Sequence, residues 1–142
     1  MKGWLRVVAG ISLAASCSGV FGETKASRVD FKNLRAQPDL YSSKKILVHG
    51  CFVDTVIEGA LIQPCGNHNW RNIFILEVAD GSGVNLVHIE SGLHATSFAV
   101  EVEADMVGTV VRETRAVPGG KPRTIYVFQL QDVLNPRVFR NF

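Results

Sequence analysis

Between Lys44 and Pro136 apolar and polar residues alternate in short runs, separated by two clusters of turn-forming residues, Asp80-Gly81-Ser82-Gly83 and Pro118-Gly119-Gly120-Lys121-Pro122. A period of two, with glycine and proline at the breaks, predicts strands joined by tight turns. Five strands are expected, over residues 44–57, 73–79, 84–89, 98–111 and 124–133. The first carries Gly50 near its middle, which suits a strand that bends to serve both sides of a small barrel. The second, Ile73 to Ala79, is apolar at nearly every position, as expected of a central strand covered on both faces. The turn after it predicts a hairpin with Val84 to Ile89. In the fourth, Phe98 to Glu103 alternates cleanly, so the valines are expected inside and Glu101 and Glu103 on the solvent face.

Outside the strands, Phe31 and Leu34 stand at helical spacing with Ser27 or Asp30 available as the cap and Pro38 as the stop. One or two helical turns are expected over residues 29–37. Glu23 to Val29 is polar and reads as loose chain, residues 58–72 as a long loop in which Ala60-Leu61-Ile62 pairs briefly, and Ser91 to Thr96 as a short connector with at most one turn of helix. No repeat or low-complexity tract divides the 142 residues, so one domain is expected. The predicted fold class is all-β with a small α contribution, a five-stranded Greek-key barrel with a short N-terminal helix.

The first residues carry different information. Lys2 and Arg6 precede a mostly apolar run from Val7 to Ala15, and small residues follow. That is the order of a secretory signal, and the run is too short to cross a bilayer as a helix. Cleavage after Val20-Phe21-Gly22 gives a signal peptide over residues 1–22 and a single domain over 23–142. Ala14-Ala15-Ser16-Cys17 offers a competing lipoprotein site in which Cys17 is lipidated, but the usual leucine sits one place early, at Leu13. Soluble export, periplasmic or secreted, is therefore the favoured expectation, with a membrane-anchored lipoprotein as the alternative.

Removal of the leader changes the charge. Without Lys2 and Arg6 the 15 basic residues become 13, equal to the 13 acidic ones. A neutral domain lacks the broad positive field that drives non-specific nucleic-acid binding, which counts against DNA or RNA as the main partner. With Cys17 cut away or lipidated, Cys51 and Cys65 remain as a pair in an oxidising compartment. A disulfide is expected, with buried thiols or a metal pair as the alternatives.

The order of short helix, bent strand with glycine, hairpin, connector and two further strands resembles the oligonucleotide/oligosaccharide-binding fold (OB-fold). The stretch Gln37-Pro38-Asp39-Leu40-Tyr41-Ser42-Ser43-Lys44-Lys45-Ile46-Leu47-Val48-His49-Gly50 looks like the lead-in of small exported bacterial stand-alone proteins of that fold, and Glu58-Gly59-Ala60-Leu61-Ile62-Gln63-Pro64-Cys65-Gly66 is similar to a segment that recurs among them. The resemblance covers residues 30–135 and implies a fold, since such families mostly have no assigned activity. The chain departs from the pattern in showing no substantial helix between the third and fourth expected strands.

In that fold ligands lie across the second and third strands, between the loop after the first strand and the loop joining the fourth and fifth. Here those loops are expected to be Glu58–Asn72, with Trp70 and Arg71, and Arg112–Arg123, with Arg115 and Lys121. With Phe74 they make a basic and aromatic patch able to stack on a ring or pair with an anion. The plainer reading makes Trp70 a cap on the core and the cations a solvated rim.

Cys65-Gly66-Asn67-His68 has one metal-ligand spacing, which His88 and His94 could approach, and His49 and Cys51 share a strand face. No second tight pair completes a site, so neither metal nor cofactor is expected. The chain has no Gly-x-Ser-x-Gly, Ser82 lies in a turn, and Asp54, Glu58 and Arg71 lack a diagnostic spacing, so no enzyme is expected. The expected function is a non-catalytic exported binding module for a small anionic or carbohydrate ligand or for an envelope protein. The alternatives are a structural or protein-docking barrel without a pocket, and single-stranded nucleic-acid binding.

Overall fold

The computed structural model describes residues 25–55, 59–67, 74–93 and 100–141. Its elements in chain order are strand β1 (Ser27–Val29), helix α1 (Phe31–Ala36), a 3₁₀ turn (Pro38–Tyr41), strands β2 (Lys45–Thr55), β3 (Gly59–Gln63) and β4 (Phe74–Val78), helix α2 (Leu86–Gly92), and strands β5 (Val100–Arg115) and β6 (Arg123–Asn141). The protein is mostly β, and all six strands belong to one sheet in the order β1-β2-β3-β4-β6-β5. β5 also pairs with β2, from Lys45↔Thr109 to Val53↔Glu101, so β2, β3, β4, β6 and β5 form a closed ring of hydrogen-bonded strands. Within the ring β4 and β6 run parallel and the other neighbours antiparallel.

Alternation explains the core. Ile46, Val48 and Phe52 of β2, Ile62 of β3, Phe74 and Leu76 of β4, Val102, Ala104, Met106 and Val110 of β5, and Phe128 and Leu130 of β6 are all buried in one cluster. α1 closes one side. The Asp30 carboxylate caps it by accepting from the Lys32 N–H at 2.7 Å, and its buried residues are Phe31 and Leu34, as the helical spacing implied. The Phe31 ring stands edge-on to Phe74 and Phe74 edge-on to Tyr126, with centroids 5.8 and 6.2 Å apart, a geometry that aromatic quadrupoles favour. The Tyr126 hydroxyl leaves the core and donates to Asp39 at 3.1 Å, tethering the 3₁₀ turn.

Several expectations are corrected. Ser27–Val29 is not loose chain: it pairs in parallel with Ile46–Val48 as β1. Residues 84–89 do not form a hairpin strand. Asn85 caps α2 by accepting from the His88 N–H at 3.2 Å, and Leu86, Ile89 and Leu93, at helical spacing, pack against the core. A seven-residue helix therefore stands between β4 and β5 where a strand, followed by at most one helical turn, was expected. β4 buries Phe74 and Leu76 while Ile75 and Glu77 are half-buried, so one face looks inward rather than both being covered.

β6 continues well past the expected stop at residue 133. Across from it, Glu103 faces Arg137 and Asp105 faces Leu134, so Asn135 and Pro136 are taken up in an irregularity of the ladder, with Asn135 at φ 52°. A β-bulge of this kind absorbs a proline that would otherwise end a strand. At Gly50 the requirement is close approach as much as bending, because a Cβ there would stand 2.9 Å from the Gln63 carbonyl oxygen.

Candidate functional site

Of the expected patch, Phe74, Arg115, Lys121 and Arg123 are among the described residues. Arg115 and Arg123 are cross-strand neighbours at the end of the β5–β6 hairpin, and Lys121 lies in the exposed turn between those strands. Arg115 is already engaged, since its guanidinium donates to Glu77 at 2.5 Å and to Glu113 at 3.0 Å; these two acids hold it in its charged form. Lys121 and Arg123 are exposed. Phe74 is 4% exposed and belongs to the core, so it supports the wall from within and offers no ring to solvent. Trp70, Arg71 and Cys17 lie outside the described residues.

Cys51 and Cys65 are joined by a disulfide, with their Cα atoms 4.8 Å apart. It ties the segment after β3 to the outside of β2 and lies beside a row of acids that the alternation had assigned to solvent. Glu101 and Glu103 are in fact 1% and 9% exposed. The physical reason is that the outer face of β5 is covered by the disulfide-linked segment and flanked by the extension of β6.

Each acid of the row has partners. Glu101 Oε1 accepts from the Gly66 N–H at 2.9 Å and from the Gln63 amide at 3.4 Å. Glu103 accepts from Arg137 Nε at 2.6 Å and lies 2.9 Å from His49 Nε2. Asp105 lies 3.0 Å from His49 Nδ1 and 3.9 Å from Arg28. The hydrogen bond from Arg137 holds the Glu103 carboxyl below its ordinary range, opposed by burial and aided by His49.

A pH dependence follows. A carboxylate whose folded value is depressed stabilises the fold above its unfolded value, and that stabilisation is lost as pH falls through the folded value. Glu103→Gln should melt earlier than the parent at neutral pH, and the gap should narrow steadily as the buffer is taken into the acid range. A gap of constant size in thermal melts from neutral to acid pH would remove Glu103 as its source.

Among the described residues no group of three or more His, Cys, Asp and Glu side chains is arranged to hold a metal ion. Cys65 and Cys51 are consumed in the disulfide, His88 is exposed on α2, and His68 and His94 lie outside the described residues.

The arrangement that sequence reasoning missed is a concavity of about 510 Å³ beside the outer faces of β2 and β5, lined by Lys25, Lys45, Ser82, Val107, Gln131 and Asp132. Four separate devices build it. The parallel start of β1 brings Lys25 alongside Lys45 of β2. The turn after β4 holds Gly81 and Gly83 at φ 74°, a left-handed backbone that glycine adopts without strain; the Ser82 Oγ accepts from the Val84 N–H at 3.2 Å, and a hydroxyl used as an acceptor keeps a proton to donate. Val107, 8% exposed, gives an apolar floor. Finally, Val107 faces Asp132 and Gly108 faces Leu130, which makes Gln131 the extra residue of a bulge, a feature that re-aims side chains.

The charges of this concavity are incompletely matched. Neither Lys25 nor Lys45 has an ion-pair partner among the described residues. Asp132 spends one oxygen on the Val133 N–H at 2.9 Å. No contiguous motif carries this site, which is assembled from residues distant in the sequence.

No protein-family model, curated protein or solved structure matches the chain. No helix among the described residues is long and apolar enough to cross a membrane, which leaves membrane crossing by strands unaddressed.

Proposed function

We propose that this protein is an exported, disulfide-stapled domain of OB-fold type that acts as a non-catalytic binding module for a small anionic or carbohydrate ligand. The observation that carries the binding reading is the polar concavity in which two lysines without acid partners among the described residues meet a free hydroxyl, an amide and a carboxylate. Small-ligand sites combine a concave shape with a few convergent polar groups, and ammonium groups left unpaired at such a place favour an anion.

The fold reading is supported by topology. Counting from β2, the ring joins its first, second, third, fifth and fourth strands in that order and returns to the first, with the third and fifth parallel and a short helix between the third and fourth. A five-stranded Greek-key barrel of the OB type has that permutation. Export is supported by the charged and apolar leader and by the Cys51–Cys65 disulfide, a bond that persists in oxidising compartments. On this reading the ligand sits on the β2–β5 side, at the bulge of β6, and not across the hairpin end with Arg115, Lys121 and Arg123.

The test is a backbone-amide NMR titration of the oxidised mature protein with a panel of simple anions and monosaccharides. Saturable shifts confined to Lys25, Lys45, Ser82, Val107, Gln131 and Asp132 are expected. Silence at these residues across the panel, or saturation only at residues 112–123, would overturn the reading. Intact mass tests export separately: a start at Glu23 with two oxidised cysteines is expected, and an unprocessed Met1 start in the native host would refute it.

A further inference from the structure

Resting on that reading, we infer that the ligand of the concavity is a sugar acid, a molecule carrying one carboxylate and several hydroxyls on a compact ring. The donor and acceptor inventory decides between ligand classes. Lys25 and Lys45 are donor-only cations, Gln131 brings both functions, the Ser82 hydroxyl donates, and Asp132 as a carboxylate only accepts. An inorganic polyanion satisfies the lysines and is repelled by Asp132. A neutral sugar satisfies Asp132 and Gln131 and leaves two ammonium groups without a counter-charge. A monoanion bearing hydroxyls answers both halves of the site: its carboxylate lies between Lys25 and Lys45, and its hydroxyls donate to the free oxygen of Asp132 and exchange hydrogen bonds with Gln131.

The shape agrees. The lysines enter from the β1–β2 side while Gln131 and Asp132 come from β6, so the anionic and hydroxyl ends of the ligand are held apart. Buried Val107 lies at the floor between them and offers an apolar surface to the C–H face of a ring. The volume of about 510 Å³ lies within the range of sites for small molecules, on the order of 300–1,000 Å³. The bulge has a direct role: with a regular ladder Gln131 and Asp132 would alternate to opposite faces of the sheet, and only the inserted residue lets both line one concavity.

The experiment compares glucuronate, glucose, acetate and inorganic phosphate by the same amide titration, on the oxidised mature protein and on Asp132→Asn and Lys45→Gln. The asparagine variant keeps an oxygen for the Val133 N–H, and both substituted side chains lie at the surface, so amide dispersion should match the parent. Glucuronate is expected to bind at the lining residues about tenfold or more tighter than any of the other three, since each charge-assisted hydrogen bond is worth about that factor. Lys45→Gln should weaken glucuronate about tenfold and leave glucose unaffected, whereas Asp132→Asn should weaken glucuronate and strengthen phosphate. If glucose, acetate or phosphate binds the concavity as tightly as glucuronate, the sugar-acid inference fails while the binding module stands. If none of the four moves the lining residues, both fail.

Discussion

Gly108→Ala should destabilise the protein by about 3 kcal/mol, at the upper end of what a single added methyl costs in a packed interior. The added Cβ would overlap the Gln129 carbonyl oxygen and approach a Phe128 ring carbon to 2.7 Å. The far end of a side chain could swing aside; here the nearest atom is backbone of the paired strand, and Phe128 is fully buried. Relief would require β5 and β6 to separate beside the Gln131 bulge, which is where the ring depends on them. For a domain of this size a loss of about 3 kcal/mol lowers the melting temperature by about 10 °C. Gly92→Ala, where nothing lies within 4 Å, is the matched control and should melt with the parent. A Gly108→Ala melt within a degree or two of that control would show that the strands yield at little cost.

Cys51→Ser should cost roughly 2–5 kcal/mol, and the reduced parent should melt close to the variant. The bond spans 14 residues of sequence, a loop length for which cross-linking the unfolded chain is worth about 3 kcal/mol in the chain-entropy account. The native state adds its own dependence. The cross-link holds Gly66 where its N–H meets buried Glu101, and a released segment would leave that carboxylate with fewer donors. Identical melting of the oxidised parent and Cys51→Ser would mean that the segment is held by its packing alone. Thermal melts with and without reductant separate the two cases.

What could be read from the chain divides along physical lines. Local signals with one dominant cause were legible: the short helix with Phe31 and Leu34, for which Asp30 was one of two candidate caps, the long first strand through Gly50, the turn within residues 117–122, and the cysteine pair. Residues 84–89 were misread because Val84, Leu86, Val87 and Ile89 make a short apolar, β-prone run after a turn, too brief for its spacing to choose between strand and helix. Asn85 as a cap and Leu93 one turn further on decide for the helix, which in turn makes the pairs that a hairpin would have made unavailable.

Glu101 and Glu103 illustrate the other kind of failure. Their alternation correctly assigned them to the outer face of β5, yet nothing local says that a disulfide-linked segment and a long β6 would cover or flank that face. The concavity was invisible for the same reason. It joins Lys25, Ser82 and Gln131 through a parallel strand, a turn and a bulge, and no window of sequence contains all three.

The position of β6 in the ring has a kinetic consequence. It is the final 19-residue strand, Arg123–Asn141, and both β4 and β5 take it as a neighbour. A nascent chain that lacks it has an unpaired edge on β4 and only half a ladder for β5, so folding cannot advance strand by strand as the chain emerges. Topologies dominated by such distant pairings fold slowly. Until β6 docks, β4 and β5 carry hydrogen-bonding groups without their strand partner, an open state that is exposed to proteases and to pairing with other chains.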